Sequence, residues 1–221
     1  MIKVFPFIFI LLWSSAFITT KPIIDNSDPF SALAFRFLIV AIGFFLFSIF
    51  TNKKILISKR NFIESFFSGV LFHGFYLGGV FFAISRGMPT AIAALIVTLQ
   101  PILTNALSGP ILGEKVTYKQ WLGVILGFIG ATLVLGIDVG SDIPILGLVA
   151  TLIALLAITI STIWQKKLSN NLPLSVSNTY QATGGFIFHL LIIIFFTNLE
   201  IIFSKTFIIA MSHQIFLVSF G

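Results

Sequence analysis

The chain has 221 residues, of which 57% are hydrophobic and only 9% are charged, and its mean hydropathy is +1.10. An ordinary soluble domain carries about 25% charged residues, so this composition excludes a soluble globular domain, a disordered chain and a nucleic-acid-binding module. The chain has no cysteine, which excludes disulfides and thiolate metal sites. The net charge of +6 must therefore be explained by where the basic residues lie.

Eight continuously apolar stretches predict an all-α polytopic membrane protein. A spanning helix needs about 20 mainly apolar residues, and seven stretches reach this length while the eighth stops at the last residue. Strands of a membrane barrel would instead alternate in hydrophobicity. In chain order, the predicted helices are Val4–Thr20, Ser31–Phe50, Phe62–Ser85, Thr90–Leu112, Tyr118–Ile137, Ile145–Trp164, Ser175–Thr197 and Phe207–Gly221.

Short breaks containing Gly, Pro and charged residues separate the predicted helices. Lys21-Pro22, together with Asp25 to Pro29, is expected to end the first helix and start the second. Links this short make neighbouring helices antiparallel. Lys3 followed by an apolar run also fits a signal peptide, but no small-x-small cleavage site follows, so we interpret the run as a retained first helix. The later breaks lie at 86–89, 113–115 and 138–144.

The basic residues gather on alternate breaks, which predicts the orientation of the helices. With the N-terminus inside, nine lysines and arginines fall inside, three fall outside, and Arg36 lies within the second helix. This bias predicts a multi-pass protein of the plasma or inner membrane with a cytoplasmic N-terminus. The run Lys53 to Arg60 would alternatively be a phosphate-binding patch, although it lacks interleaved aromatic residues. The inside set is Lys3, Lys53, Lys54, Lys59, Arg60, Lys115, Lys119, Lys166 and Lys167, and the outside set is Lys21, Arg86 and Lys205.

Two pairs of helices recur in similar form about 144 residues apart. The second helix begins Pro29-Phe30-Ser31 and carries Arg36, and the seventh begins Pro173-Leu174-Ser175 and carries Tyr180 at the matching place. The first helix pairs with the sixth at nearly the same offset. Because five helices separate the members of each pair, the copies face opposite ways, as in secondary transporters whose solute site lies between inverted repeats. The alternative is chance similarity between apolar helices.

Several short motifs resemble those of one family of membrane proteins. They are Trp13-Ser14-Ser15-Ala16-Phe17, Ala34-Phe35-Arg36-Phe37, Gln100-Pro101, and the Gly-Glu-x-x-Thr-x-x-Gln-x-x-Gly run at Gly113–Gly123. The chain resembles the EamA-type family of the drug/metabolite transporter superfamily from Trp13 to about Gly136, and more weakly from Gly147 to Tyr180. The resemblance implies ten helices in two inverted five-helix repeats, and export or exchange of small metabolites, often amino acids or amphiphilic compounds.

Compared with the ten helices of that family, this chain has fewer predicted helices. We expect an inverted repeat whose second unit is truncated, with about eight of ten transmembrane helices. Residues 1–138 would form the first five-helix repeat and residues 145–221 an incomplete second one. The predicted function is a permease that exports or exchanges a small organic metabolite by alternating access. We expect the chain alone to be inactive, or to work with a polypeptide that supplies the missing helices or with a second copy of itself. The alternative is an inactive truncated relative, or a structural or assembly membrane protein.

Polar side chains deep in the predicted helices are the candidates for solute binding, since burying them in lipid is costly. Arg36 lies about 10 Å below the outer surface and would clamp a carboxylate. Alternatively, it is a snorkelling or carbonyl-paired structural arginine. His73 and Gln100 reach the midplane, and Tyr76 lies one turn from His73 on the same face. The alternative role of these three residues is an interhelical hydrogen bond.

Features of the first, fourth and seventh helices complete the candidate site. Trp13 and Ser14 lie at mid-membrane depth, where a Trp indicates a cavity wall or, alternatively, simple packing. Pro101 should bend the fourth helix, and Asn105 lies one turn further on. His189 is expected to be structural because one face of its helix meets lipid. The predicted substrate-binding residues are therefore Trp13, Ser14, Arg36, His73, Tyr76, Gln100, Asn105 and Tyr180.

Patterns typical of enzymes are missing from the sequence. No carboxylate lies deep in a predicted helix, and there is no zinc-binding His-Glu spacing, nucleophile elbow or pair of acids. We therefore predict no enzyme activity, catalytic residue, cofactor or metal. Gly74-x-x-x-Gly78 and Gly123-x-x-x-Gly127 predict close approach of helices. The expected partners are the lipid bilayer and a small solute, and not nucleic acid.

Overall fold

The chain forms helices joined by short turns. The computed structural model describes residues 5–113, 117–135, 143–168 and 172–220. These ranges contain no β-strand, only an isolated antiparallel bridge between Ser27 and Ile201, so the prediction of an all-α protein is confirmed. The helices are α1 (Phe5–Ile24), α2 (Pro29–Phe50), α3 (Lys59–Gly69), α4 (Gly78–Ser85), α5 (Thr90–Val97), α6 (Gln100–Leu112), α7 (Tyr118–Leu135), α8 (Ile145–Leu168), α9 (Leu174–Phe196) and α10 (Lys205–Ser212). The first π segment is Val70–Leu77 and the second π segment is His213–Ser219.

Five segments within the described residues are long and apolar enough to cross a membrane. The apolar part of α1, Ile10–Ile24, is shorter. Since a spanning helix needs about 20 apolar residues, the prediction of a multi-pass membrane protein is confirmed, whereas the count of eight transmembrane helices stays a prediction. The five segments are Pro29–Phe50, Lys59–Ser85, Thr90–Leu107, Ile145–Lys166 and Leu174–Phe196.

Side-chain caps fix the start of three helices. At α2, Asp28 Oδ1 accepts hydrogen bonds from two backbone N–H groups of the first turn, both at 3.0 Å, and Pro29 takes the first helical position. Proline suits that position because its missing N–H would have had no partner there. Ser58 and Ser204 cap α3 and α10 in a similar way. These caps satisfy donors that the helix itself leaves unpaired.

The start of α7 is a capping box built from the most family-specific motif. Thr117 Oγ1 accepts from the N–H of Gln120 at 3.4 Å, and Gln120 Oε1 accepts from the N–H of Thr117 at 2.8 Å. This reciprocal pair satisfies two unpaired donors at once. The Thr and Gln of the Gly113–Gly123 run therefore have a structural role.

A glycine turn ends α4, at the predicted break 86–89. Gly87 has φ +89°, in the left-handed region that favours glycine. The N–H groups of Gly87 and Met88 bond to the carbonyls of Ile84 and Ala83 at 3.1 and 3.0 Å, which is the Schellman pattern. Pro89 follows and does not continue the helix, so this break is confirmed.

Among the helix boundaries that differ from the predictions are the end of α1 and the start of the third predicted helix. α1 runs through Pro22 to Ile24, so Lys21-Pro22 does not end it. A proline this close to the end of a helix disturbs only its last turn. The segment Lys59–Ser85, named the third span, begins three residues earlier than predicted and consists of α3, the first π segment and α4.

The fourth predicted helix is interrupted next to its proline. α5 ends at Val97 and α6 begins at Gln100, immediately before Pro101. Pro101 has no N–H to donate to the carbonyl of Val97, so the regular ladder fails at this point. The prediction that Pro101 disturbs this helix is confirmed.

Glycines let α3 and α9 cross almost backbone to backbone. A Cβ built on Gly69 would lie 2.0 Å from the carbonyl oxygen of Gln181, and one on Gly184 would lie 2.4 Å from that of Phe66. Atoms do not approach so closely, so only glycine fits at this crossing. The third span and α9 are thereby fixed against each other, with α2 packed along α9.

The two predicted glycine interfaces have different outcomes. A Cβ on Gly74 or Gly78 would lie 2.7 or 3.0 Å from ring atoms of α9 side chains, so their close approach is confirmed. Gly123 and Gly127 have no described atom within 4 Å of a built Cβ, so the predicted interface on α7 is not found among the described residues. The physical reason is that both glycines lie on an exposed face of α7.

Contacts between the segments that join the helices, called links, show which links lie at the same end of the bundle. The N–H of Asp28 donates to the carbonyl of Glu200 at 3.0 Å, which brings the α1–α2 and α9–α10 links together. Gly147, near the start of α8, lies against the α4–α5 link. Elsewhere, the Tyr180 hydroxyl donates to the carbonyl of Ile55 at 2.9 Å, which ties α9 to the α2–α3 link. That second end carries the exposed Lys53, Lys54, Lys59 and Arg60.

Candidate functional site

Two cavities adjoin α1 and share part of their walls. The arginine cavity, of about 200 Å³, lies between α1, α2, the third span, α9 and the second π segment, and Arg36 lines it. The Gln100 cavity, of about 750 Å³, lies between α1, α5 and α6. Trp13 and Phe17 line both. The structure thus brings Trp13, Arg36, His73 and Tyr76 together in the first cavity, whereas Ser14 and Gln100 line the second.

Both π segments contribute to the wall of the arginine cavity. The first supplies His73 and Tyr76, and the second supplies Gln214 and Ser219. A π turn inserts one extra residue into the helical repeat, which redirects side chains, and such turns are found frequently at functional sites. The cavity is therefore lined by two helices that both depart from regular α geometry.

Arg36 is the cation of this cavity, and its side chain is only 4% exposed. Its Nε and Nη2 donate to Ser219 Oγ at 3.2 and 3.0 Å, and its Nη1 donates to Gln214 Oε1 at 2.5 Å. None of the ion pairs among the described residues includes Arg36. The Arg36 guanidinium carbon also lies 5.3 Å from the centroid of the Phe37 ring. A buried charge is normally paired with an opposite one, so a guanidinium held by neutral oxygens and an aromatic ring is unusual.

Gln214 links Arg36 to α1. Its side chain is fully buried, and its Nε2 donates to the carbonyl of Ala16 and to Thr19 Oγ1, both at 3.1 Å. Ser219 Oγ donates to the Gln214 carbonyl at 3.0 Å, five residues back along the second π segment. The second π segment is therefore held to both α1 and α2 by polar contacts.

Aromatic rings form most of the remaining wall. Trp13 and Tyr76 are stacked, with ring centroids 6.3 Å apart and planes at 8°. Phe72 meets both of them edge to face. Such pairs favour offset-stacked and edge-to-face geometries, which fixes ring positions. The cavity combines one cation with a rigid aromatic surface.

A pair of histidines lies behind the aromatic wall. The His73 ring lies 4.4 Å from the Phe37 ring, and its Nδ1 has no hydrogen-bond partner in the described structure. His189 is fully buried, and its Nε2 donates to the His73 carbonyl at 2.9 Å. This bond joins α9 to the third span, so His189 has a structural contact, but the expected reason was wrong because its side chain faces the interior and not lipid.

The Gln100 cavity has a different lining. Gln100 Nε2 donates to Thr104 Oγ1 at 3.3 Å and to Thr162 Oγ1 at 3.2 Å, so Gln100 makes the interhelical bond that was its alternative role, and it also lines the cavity. Ser14 and Lys21 lie on the α1 side. Lys21 forms an ion pair with Asp25, which neutralises its charge.

Two predicted site residues lie outside both linings. Asn105 is half-buried on α6, and Tyr180 bonds to the α2–α3 link as described above. Tyr180 also meets the Phe62 ring edge to face, with centroids 5.4 Å apart. Its position at one end of the bundle explains why it does not share the cavity of Arg36.

Sequence reasoning missed the polar partners of Arg36. Gln214 and Ser219 were not among the predicted site residues, nor were Thr20 and Asn178, which also line the cavity. Gln214 is an amide within a predicted membrane helix, as Gln100 is, so the same signal was present. No group of three or more His, Asp or Glu side chains able to hold a metal ion occurs among the described residues.

Helices able to span a membrane, enclosing a cavity with a buried cation, are typical of polytopic membrane transporters. The EamA-like transporter family matches residues 3–136, which is more than half of the chain. The chain therefore belongs to the EamA-like transporter family. This is a family of transporters rather than of enzymes.

Similar proteins are also named as transporters. A probable amino-acid metabolite efflux pump of Salmonella typhimurium is 25% identical over 165 residues, which cover 74% of this chain and 53% of that protein. An uncharacterized transporter of Buchnera aphidicola is 26% identical over 207 residues, which cover 90% of this chain and 67% of that protein. The chain spans about half the length of the efflux pumps of Salmonella typhimurium and Escherichia coli that it matches. One crystal structure has the same fold, with a TM-score of 0.73 at 19% identity over 95% of this chain and 71% of that one.

Proposed function

We propose that the chain moves a small carboxylate-bearing solute with an apolar or aromatic body across the plasma or inner membrane. The arginine cavity holds this solute, and transport follows alternating access. Ser14 and Gln100 line an entry vestibule, the Gln100 cavity, which Trp13 and Phe17 separate from the site. Asn105 and Tyr180 have no part in binding.

Arg36 is the observation that carries this proposal. It is a buried guanidinium on a cavity wall, and no carboxylate among the described residues pairs with it. Ionised acceptors form shorter hydrogen bonds with guanidinium that are about twice as strong as those of neutral acceptors. A solute carboxylate would supply the missing countercharge. This favours the anion clamp over a purely structural arginine.

The remaining lining favours an apolar body on the solute. Stacked Trp13 and Tyr76 offer flat apolar surface, and Phe37 and Phe81 lie on the same cavity. An engineered cavity of about 150 Å³ holds benzene, so about 200 Å³ suits a ring with a short carboxylate chain. Hydrophobic amino acids and small amphiphilic acids have this form.

Matching helix starts support the inverted repeat of residues 1–138 and 145–221. α2 begins at Pro29 and α9 begins at Leu174, 145 residues later. The capping serines, Ser58 and Ser204, lie 146 residues apart. The first π segment begins at Val70 and the second at position 213, an offset of 143 residues. The agreement of helix starts, caps and π turns favours the repeat over chance similarity.

Reciprocal packing supports alternating access. α1 packs on α10 and the second π segment, while α8 packs on α3 and the first π segment. Each presumed repeat therefore packs its first helix on the third helix of the other. α2 and α9, the second helix of each, pack on one another. Two units interlocked in this way can rock around a central cavity.

The number of helices needed for transport is a separate part of the proposal. The chain spans about half of the efflux pumps that it matches, and we propose that transport needs helices in addition to those of residues 1–221. The name of these pumps, probable amino-acid metabolite efflux pump, favours export of an amino-acid-like solute. The expected test is flux in liposomes: the purified chain alone gives no saturable flux of 3-phenylpropanoate or L-phenylalanine, and added helices restore it. Saturable flux by the monomer would contradict this part of the proposal and leave the solute site intact.

Trp13 provides a direct binding measurement, because it lines the cavity and the chain has three tryptophans. In the Trp121→Phe/Trp164→Phe variant, Trp13 is the sole reporter. We expect 3-phenylpropanoate to change its emission with saturation, and the neutral 3-phenylpropanamide to bind about tenfold more weakly. Arg36→Lys keeps the charge but lacks the planar fork, so it should lose most of this preference.

Two results would contradict the assigned site. One is equal binding of the acid and the amide, and the other is an Arg36→Lys variant that folds and binds like the parent. Absence of saturable binding by any carboxylate would favour the second candidate, an inactive relative or an assembly protein. The fold and membrane insertion of each variant are checked by circular dichroism and size-exclusion chromatography.

The orientation is tested in the cysteine-free chain. Lys54→Cys and Arg86→Cys replace exposed residues at opposite ends of the bundle. With the N-terminus cytoplasmic, an impermeant maleimide should label intact cells only at position 86, and position 54 only after permeabilisation. The reverse labelling pattern would invert the proposed topology.

A further inference from the structure

Two neutral side chains occupy the edge of the Arg36 guanidinium. Ser219 Oγ accepts from Nε and Nη2, and Gln214 Oε1 accepts from Nη1. Two oxygens facing one guanidinium is also the arrangement of a bidentate carboxylate. Both oxygens belong to the second π segment and both side chains line the arginine cavity.

We propose that Gln214 and Ser219 are internal competitors for the solute carboxylate. A carboxylate-bearing solute displaces their oxygens from Arg36, and this displacement removes the hydrogen bonds that tie the second π segment to α2. Solute binding is thereby coupled to movement of the segment. The inference rests on the proposed function, because it takes the arginine cavity as the solute site.

Hydrogen-bond strength favours the displacement of Gln214 and Ser219 by a solute carboxylate. Hydrogen bonds from guanidinium to an ionised acceptor are about twice as strong as those to a neutral amide or hydroxyl. Gln214 and Ser219 leave the Arg36 charge uncompensated, and a solute carboxylate compensates it. Gln214 and Ser219 therefore hold Arg36 in position, and their bonds to it are weak enough for a solute carboxylate to replace them.

The same two residues connect Arg36 to the packing of helices. Gln214 Nε2 bonds to α1 through Ala16 and Thr19, and Ser219 Oγ closes the π turn on the Gln214 carbonyl. When the solute takes Arg36, the hydrogen bonds from α2 to this segment are lost while the polar contact of the segment with α1 remains. A ligand shifts a conformational equilibrium by its differential contacts with the two states, and here those contacts are identified.

The inference can be measured because the two groups compete for Arg36. A substitution that weakens the hydrogen bonds of the competitor to Arg36 must raise the affinity for the solute. Ser219→Ala removes an acceptor of two guanidinium bonds and should tighten 3-phenylpropanoate binding by about three- to tenfold in the Trp13 assay. Binding of 3-phenylpropanamide should stay within about twofold, because the amide brings no ionised acceptor. The matched control is Ser15→Ala, which removes a contact of Ser15 Oγ with His213 Nε2 at 3.1 Å in the same segment but does not touch Arg36. It should leave both affinities unchanged.

A second variant tests the competitor from the opposite side. Gln214→Glu places a carboxylate beside Arg36 but removes the amide donor that bonds to Ala16 and Thr19. In the folded variant, 3-phenylpropanoate should bind about tenfold or more weakly. Hydrogen–deuterium exchange supplies a readout of movement. Exchange in residues 213–219 should accelerate when 3-phenylpropanoate saturates the parent protein, and should not change with the amide.

The outcomes separate the inference from the function on which it rests. If Ser219→Ala weakens or does not change binding, or if Gln214→Glu binds like the parent, the competitor role is wrong. If Arg36→Lys still abolishes the acid preference in that case, the solute site stands without the competitor. If the parent protein does not bind 3-phenylpropanoate, the site and the inference are both overturned.

Discussion

The region around α5 to α7 and the region around the arginine cavity differ in how they relate to the family pattern. The most family-specific motif, Gly113–Gly123, lies at the start of α7, where Thr117 and Gln120 form a capping box. The glycines that follow on α7 have no atom of the described residues within 4 Å of a built Cβ. The arginine cavity instead combines close glycine crossings, a buried cation and two π segments.

This difference indicates that motif strength and solute chemistry are carried by separate parts of the chain. Caps and turns need particular residues at fixed spacing, so they produce motifs that are easily recognised. A solute site needs only a few polar groups on facing helices, and these come from distant positions such as Arg36 and Gln214. The predictions below test whether the two regions separate in this way.

The largest expected effect is on packing. Gly69→Ala places a Cβ at 2.0 Å from the backbone of α9, whereas Gly123→Ala meets no described atom within 4 Å. We expect Gly69→Ala to lower the free energy of unfolding by about 3 kcal/mol or to prevent folding. Gly123→Ala should be neutral or slightly stabilising, because alanine favours helix. Thermal denaturation in detergent measures both, and equal effects of the two variants would remove the distinction between the regions.

The second effect is on binding. Arg36→Gln should weaken 3-phenylpropanoate binding by about 10- to 100-fold, since hydrogen bonds to charged groups contribute about 1.5–3 kcal/mol. Gln100→Leu changes the larger cavity and should alter the same affinity by less than about threefold. The Trp13 assay compares the two variants. A Gln100 variant that loses as much affinity as the Arg36 variant would move the solute site to the Gln100 cavity.

The smallest expected effect is on stability, and it tests whether the family motif at Gly113–Gly123 has a structural role. Thr117→Ala removes the hydroxyl of the capping box and should cost about 1 kcal/mol of stability. Thr117→Ser keeps the cap and is the matched control. Neither substitution should change solute binding. A binding defect in Thr117→Ala at unchanged stability would show that the motif takes part in recognition.

The sequence was sufficient for most of the fold. Long apolar stretches between Gly and Pro breaks predicted the helices, and Pro101 predicted the interruption of the fourth one. The sequence also predicted that Trp13, Arg36, His73 and Tyr76 are polar or amphipathic groups at depth, and the structure brings these four to one cavity.

The parts that sequence could not provide depend on contacts between distant residues. Apolar periodicity does not distinguish α-helix from π-helix, so the two π segments were not expected. The pairing of Arg36 with Ser219 joins positions 183 residues apart, which no local pattern encodes. Tyr180 was placed in the site by its repeat position, whereas its hydroxyl reaches the link at one end of the bundle. Gly123 and Gly127 fit a packing motif, yet whether a partner helix is present is decided by tertiary structure.

The central claim is that Arg36 binds the carboxylate of the solute, and a distance measurement tests it most directly. Solid-state NMR on membranes with ¹⁵N-labelled arginine and carboxyl-¹³C 3-phenylpropanoate reports carbon–nitrogen proximity. The chain has three arginines, and Arg60 and Arg86 are exposed. We predict dephasing that corresponds to about 4 Å, which is lost in Arg36→Lys and kept in Arg86→Lys. Bound solute without dephasing, or dephasing that persists in Arg36→Lys, would contradict the account.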